Sequence, residues 1–233
     1  MEGVKLAAAY AFMPNFIGYC GKSTFYTALK SGDLQLLHSE LKKIVALNGY
    51  LNVIASCNSK KPFDRDVVEA FWIGNSLLEK VERKDIAEMF MGFYKKGAIS
   101  RERAEKLASS IPEGAVPHHS FHVLYVNSLS GVLKDDVQKL DMCRVGWGEV
   151  LETKGDKANV LYMPICGKRG SYRLGEKRER QIITSLEGYS SVGELREGDT
   201  VTFHWDFAVQ KISRENEKIL ERYTLRNIDA VNR

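Results

Sequence analysis

Residues 141–152 read DMCRVGWGEVLE, and this stretch divides the chain. Before it, apolar residues recur at spacings of three and four, the period of helices. After it, they fall in short β-branched and aromatic runs that alternate with polar residues, the period of strands. A boundary just before Asp141 follows, with helices over residues 1–138 and a β-rich unit over 139–233. Cys143 stands where the second unit begins.

The chain has 233 residues, 44% hydrophobic and 27% charged, which is long and apolar enough to bury one large core or two modest ones and too apolar for disorder. It contains no run of about 18 uncharged apolar residues, and its first twenty residues lack the basic start and cleavage pattern of a secretory signal, so a cytoplasmic protein without a membrane segment is expected. Cys20, Cys57, Cys143 and Cys166 are scattered with no C-x-x-C pair, a pattern of buried thiols or single ligands more than of disulfides. The net charge of +4 is mild. Nucleic acid is therefore a partner to test and not a default.

In the first half, Asp33 caps a helix with Leu34, Leu37, Leu41, Ile44 and Val45 on one face and Lys42 and Lys43 in water. Pro62 and Asp64 open another, carrying Val67, Phe71, Leu78 and Val81; a third runs from Lys84 to Gly97; and Ser100 caps RERAEKLASSI, ended by Pro112. These spacings predict an all-α domain of four or five helices. In the second half, GEVLE, KANVLYM, QIITSLE and TVTFHWDFAV read as strands separated by Gly155-Asp156 and Gly198-Asp199 turns. Ser213 opens a terminal amphipathic helix with Ile219, Leu220, Tyr223 and Ile228 facing the strands. The fold class expected is therefore α+β multidomain, an all-α domain (1–138) followed by a small OB-like β-barrel with a C-terminal helix (139–233).

Two blocks of the second half resemble a known family. MCRVGWGEV, through Met142, Cys143, Gly148 and Val150, is similar to the start of the HypC/HupF hydrogenase maturation chaperones; GDTVTFHWDFAVQKI matches their second block at Gly198, Asp199, Val201, His204, Phe207, Ala208, Val209, Lys211 and Ile212. The resemblance covers about the last 90 residues. It implies a metallochaperone-like accessory protein in [NiFe]-hydrogenase maturation. Iron, as a cyanide- and carbonyl-ligated fragment, would be held by Cys143 with His204 as second ligand or as a hydrogen-bonding group that tunes the sulfur. Trp147, Gly148 and Phe207 would contact partners, which by resemblance are a HypD-like scaffold and the hydrogenase large subunit. A soft thiolate suits iron carriage because it leaves positions open for other ligands. Taken alone, Cys143 reads as a small buried residue. Three departures mark a diverged or fused relative: Cys143 is internal and has no free α-amine, Gly146-Trp147 replaces an apolar-Pro pair, and residues 167–193 look like a basic insertion.

The helical half carries a second candidate site. Gly-Lys-Ser at 21–23 invites a phosphate-loop reading that fails on spacing, because position 16 is Phe; Cys20 is left as a turn residue or a ligand. Three of the five histidines, His118, His119 and His122, lie within five residues. On a helix, His118 or His119 could share an ion with His122; on a strand His118 and His122 would stand roughly 13 Å apart, too far for one. A polar helix start with backbone-bonded histidines is the plain alternative. The N-terminal region also weakly resembles an uncharacterised hydrogenase-associated family. Competing functions are an OB-type nucleic-acid module built on Lys168, Arg169, Tyr172, Arg173, Lys177, Arg178 and Arg180, and a metal-dependent enzyme using the histidines.

Overall fold

A computed structural model of the chain describes residues 2–19, 24–127, 133 and 136–233. The first half is helical: α1 (Glu2–Phe16), α2 (Thr24–Ser31), α3 (Leu34–Leu41), α4 (Val45–Cys57), α5 (Arg65–Trp72), a 3-10 turn (Ser76–Lys80), α6 (Arg83–Lys95) and α7 (Arg101–Ser109). A short α8 (His119–Phe121) runs into a π-helical turn (His122–Val126), and α9 (Val137–Cys143) leads to the strands. These are β1 (Gly146–Lys154), β2 (Lys157–Tyr162), β3 (Ile165–Cys166), β4 (Arg173–Leu174), β5 (Arg178–Ile183), β6 (Thr200–His204) and β7 (Phe207–Lys211), and α10 (Arg214–Asn232) ends the chain.

Helix α1 was absent from the periodicity, and it lies deepest. Ala7 through Phe12 are all buried, and the helix touches α2, α3 and α5 on one side and β6 and β7 on the other. A helix whose middle turns are enclosed needs no polar face there. Gly3 lets it close on the loop before α5, since a Cβ there would stand 2.1 Å from the Phe63 carbonyl oxygen.

Other helices follow their end signals. Asp33 caps α3 by accepting from Gln35 and Leu36 N–H, Ser100 caps α7 through Arg103 N–H, and Gly97 leaves α6 at φ +69°. The stripe expected from Leu34 to Val45 is broken into α3 and α4. Asn48 Nδ2 donates to the Leu41 and Ile44 carbonyls at 2.8 Å each and so satisfies the acceptors that the break exposes.

The strands form a five-stranded sheet in the order β1-β2-β5-β7-β6, and β6 also pairs with β1, so the ring of pairings closes. All contacts are antiparallel except β5 with β7. The supposed insertion at 167–193 therefore supplies β5, a member of the ring. TVTFHWDFAV is two strands and not one, because Trp205 and Asp206 both adopt left-handed φ (51° and 60°) and turn the chain between β6 and β7.

The glycines of GWGEV are explained by this sheet. A Cβ on Gly146 would lie 2.2 Å from the Phe203 ring, and one on Gly148 would lie 2.8 Å from the Leu161 carbonyl oxygen. Between them Trp147 is buried, with the Arg144 guanidinium over its ring at 5.0 Å. Helix and strand halves share one apolar cluster that contains Phe12 and Trp72 together with Trp147, Phe207 and Tyr223.

Helix α10 packs chiefly away from the sheet, contrary to its expected orientation. Tyr223 lies against Gly74 and donates to the Asn75 carbonyl at 2.8 Å, and Asn227 bonds both backbone groups of Val116 and Ser120 Oγ beside α8. Among the described residues, no helix is long and apolar enough to cross a membrane.

Candidate metal centre

Three elements deliver three side chains to one point. His119 opens α8, Cys143 is the last residue of α9, and His204 is the last residue of β6. Asp136 starts α9 by accepting from Gln138 and Lys139 N–H, and the helix then buries Leu140 and Cys143 on one face. One ligand atom from each of His119, Cys143 and His204 lies within 4.8 Å of the other two. The residues are 4%, 6% and 3% exposed.

The imidazoles are held in the form that ligates. His204 Nδ1 is 2.7 Å from the Tyr10 carbonyl oxygen, so Nδ1–H donates there and Nε2 carries the lone pair. That Nε2 is buried with no hydrogen-bond partner, and so is His119 Nδ1. Burial pushes the His204 pKa down to about 4 and holds that of His119 well below the usual imidazole range, with the neighbouring His204 adding to the effect. Both rings are neutral at pH 7. They stand edge to face with centroids 5.1 Å apart, and Trp72 lies 4.4 Å from His119 and 5.4 Å from His204.

The residues present fit a transition-metal ion. Buried polar atoms are almost always bonded, so two orphaned ring nitrogens beside a cysteine point to a missing partner that accepts lone pairs. Two neutral imidazoles and a sulfur are ligands for zinc, copper, nickel or iron, and three protein ligands leave a coordination position open. The backbone carbonyl on the far nitrogen of His204 is the usual outer support of a ligating histidine.

A family model matches residues 1–233 in full. The chain belongs to DUF6390, a family of unknown function. No curated protein and no solved structure matches it.

In this DUF6390 chain, Cys143 and His204 lie close together, and Cys143 is buried, as it reads when taken alone. The three neighbouring histidines separate. His118 caps α8: Nε2–H donates to the Trp72 carbonyl at 3.2 Å, and Nδ1 accepts from Ser120 N–H and Oγ–H. Burial pushes its pKa down to about 3. His122 sits edge-on to Tyr50 at 5.4 Å, and its ring is 6.2 Å from that of His119. Among the described residues, the grouping of three candidate ligands is His119 with Cys143 and His204, while His118 is engaged with Trp72 and Ser120. Cys20 lies outside the described residues.

Four of the other assigned residues, Trp147, Gly148, Phe207 and Tyr172, are buried. Trp147 and Phe207 are core residues and Gly148 is closed against Leu161, so none offers an exposed docking surface. Tyr172 is buried, and its backbone N–H and carbonyl bond the Asn232 side chain, which withdraws it from base stacking.

One charged group went unread in the opening motif. Asp141 is buried and accepts from Arg144 Nε at 3.0 Å, Ile165 N–H at 2.7 Å, Tyr162 Oη–H at 3.0 Å and Arg180 Nη1 at 3.0 Å. Arg144, also buried, donates further to the Val145 and Met163 carbonyls. The DMCR spacing carried this signal, since an acid and an arginine three apart share a helix face.

Proposed function

We propose that this protein is a metal-binding accessory protein that retains one transition-metal ion through His119, Cys143 and His204. The observation that carries it is that a ring nitrogen of His119, a ring nitrogen of His204 and the Cys143 sulfur lie within 4.8 Å of one another in a buried cluster. Because the ligands come from α8, α9 and β6, the ion would tie the helical half to the sheet. Burial favours retention over catalysis on a large substrate.

The narrower form is an iron carrier in hydrogenase maturation, with a HypD-like scaffold and the hydrogenase large subunit as partners. Its support is the two sequence blocks, the closeness of Cys143 to His204, and a small five-stranded sheet whose ring of pairings closes. Handing over cargo from a thiol this deep requires the site to open.

Titration of the apo-protein with Co²⁺, read by thiolate-to-metal charge-transfer absorption, tests the site. One ion per chain is expected, with affinity reduced about 10- to 100-fold or more in Cys143→Ser and in His204→Ala. Wild-type protein that takes up neither Co²⁺ nor Zn²⁺ would falsify the proposal. For the carrier form, iron content and host hydrogenase maturation unchanged by Cys143→Ala would remove it.

A further inference from the structure

The turn between β6 and β7 keeps two features that a hairpin normally avoids. Both central residues are left-handed without being glycine, and the first, Trp205, also buries an indole Nε1–H that has no acceptor. Such conformations persist only where the surroundings hold them, and they gather at functional sites. Here the surroundings are the last turn of α9. Trp205 N–H donates to the Met142 carbonyl at 2.8 Å, and Asp206 pairs with Arg180, which in turn bonds Asp141. The hairpin tip is thus tied twice to the helix that ends in Cys143, one residue beyond His204.

The Trp205 ring has its own place. It belongs to the apolar cluster that contains Cys143, and half-buried Tyr19 packs against it with centroids 4.2 Å apart and planes tilted by 31°. Tyr19 is the partly exposed member of this contact, and Trp205 and Cys143 are buried in the same cluster.

We propose that Trp205 is the closure of the metal centre: its backbone latches β6 to α9, setting the spacing of His204 and Cys143, and its ring, backed by Tyr19, seals the thiol from solvent. This deepens the metal-binding reading and rests on it for the ligand enclosed. It makes Trp205 a positioning residue that governs exchange and not a ligand.

Trp205→Gly separates ring from latch, because glycine keeps the N–H and accepts the left-handed φ without strain. In metal-free protein, alkylation of Cys143 by iodoacetamide, resolved by peptide mass spectrometry, should accelerate about tenfold or more, and by more than that of Cys57 and Cys166 in the same sample, which report the general loosening that loss of a buried indole brings with a lowered urea midpoint. Release of bound Co²⁺ to EDTA should accelerate by a similar factor. Tyr19→Ala, which removes only the half-exposed outer ring, should accelerate Cys143 alkylation about threefold or more, and it decides the matter should Trp205→Gly fail to fold. Cys143 alkylation within about twofold of wild type in a folded Trp205→Gly, or in Tyr19→Ala if that is the only folded variant, overturns the closure. A wild-type protein that binds no Co²⁺ defeats the metal reading alone, since alkylation reports the seal without an ion.

Discussion

At the scale of single residues, the strongest constraint in DMCRVGWGEVLE is an ion pair. Asp141→Asn leaves Arg144 charged and enclosed without its carboxylate, and a broken buried pair costs about 3–5 kcal/mol; a urea midpoint shifted by that amount is expected. Gly146→Ala drives a methyl into the Phe203 ring and should cost about 1–3 kcal/mol in the same measurement. The closeness of Cys143 and His204 could be anticipated, since the sequence singles out both residues together. The role of His119 could not. Its partners lie in other elements, and no spacing within PHHSFH distinguishes the histidine that caps a helix from the one that meets a thiol. Trp205 was equally silent, since Trp-Asp carries none of the chemistry that marks a turn.

Among elements, those with a polar face and a cap were legible: α3, α6, α7 and α10 begin or end at Asp33, Gly97, Ser100 and Ser213. Helix α1 was not, because periodicity arises only when one face meets water along the helix, and here Ala7 through Phe12 are all buried. The break between α3 and α4 was hidden for a different reason. Its apolar stripe continues through Ile44, and only the Asn48 amide, reaching back to two carbonyls, shows that the chain has turned. Asn48→Ala should therefore cost about 1–3 kcal/mol, measured by thermal or urea unfolding. For α10, Asn227→Ala strips partners from Val116 and Ser120 and should loosen its seat beside α8; faster hydrogen exchange at Val116 N–H would show it.

For the whole molecule, four enclosed imidazoles set the response to acid. Burial holds the folded pKa values of His118 at about 3 and of His122 and His204 at about 4, and that of His119 well below the usual range. The unfolded chain binds protons at these rings near pH 6.5 and the folded one does not. Stability is thus full above pH 6.5 and falls as pH drops toward 4, each ring contributing about 1.4 kcal/mol per pH unit within its window. Urea unfolding of chelator-treated protein from pH 7.5 to 4.5 measures the slope. His122→Phe, which keeps an aromatic ring against Tyr50, should reduce it by one proton's worth. A stability flat over that range would contradict the neutral, buried state of the rings.

Tyr10 joins the two ends of this economy of contacts. Its hydroxyl bonds Thr202 and its carbonyl bonds His204, partners 192 and 194 positions later in the chain. During synthesis at roughly 5–20 residues per second, α1 leaves the ribosome on the order of ten to forty seconds before either partner exists. A nascent segment whose middle, Ala7 through Phe12, carries no charge must spend that interval sheltered, so translation of this protein is expected to lean on ribosome-associated chaperones. Slowing elongation between α1 and β6 should lower its soluble yield.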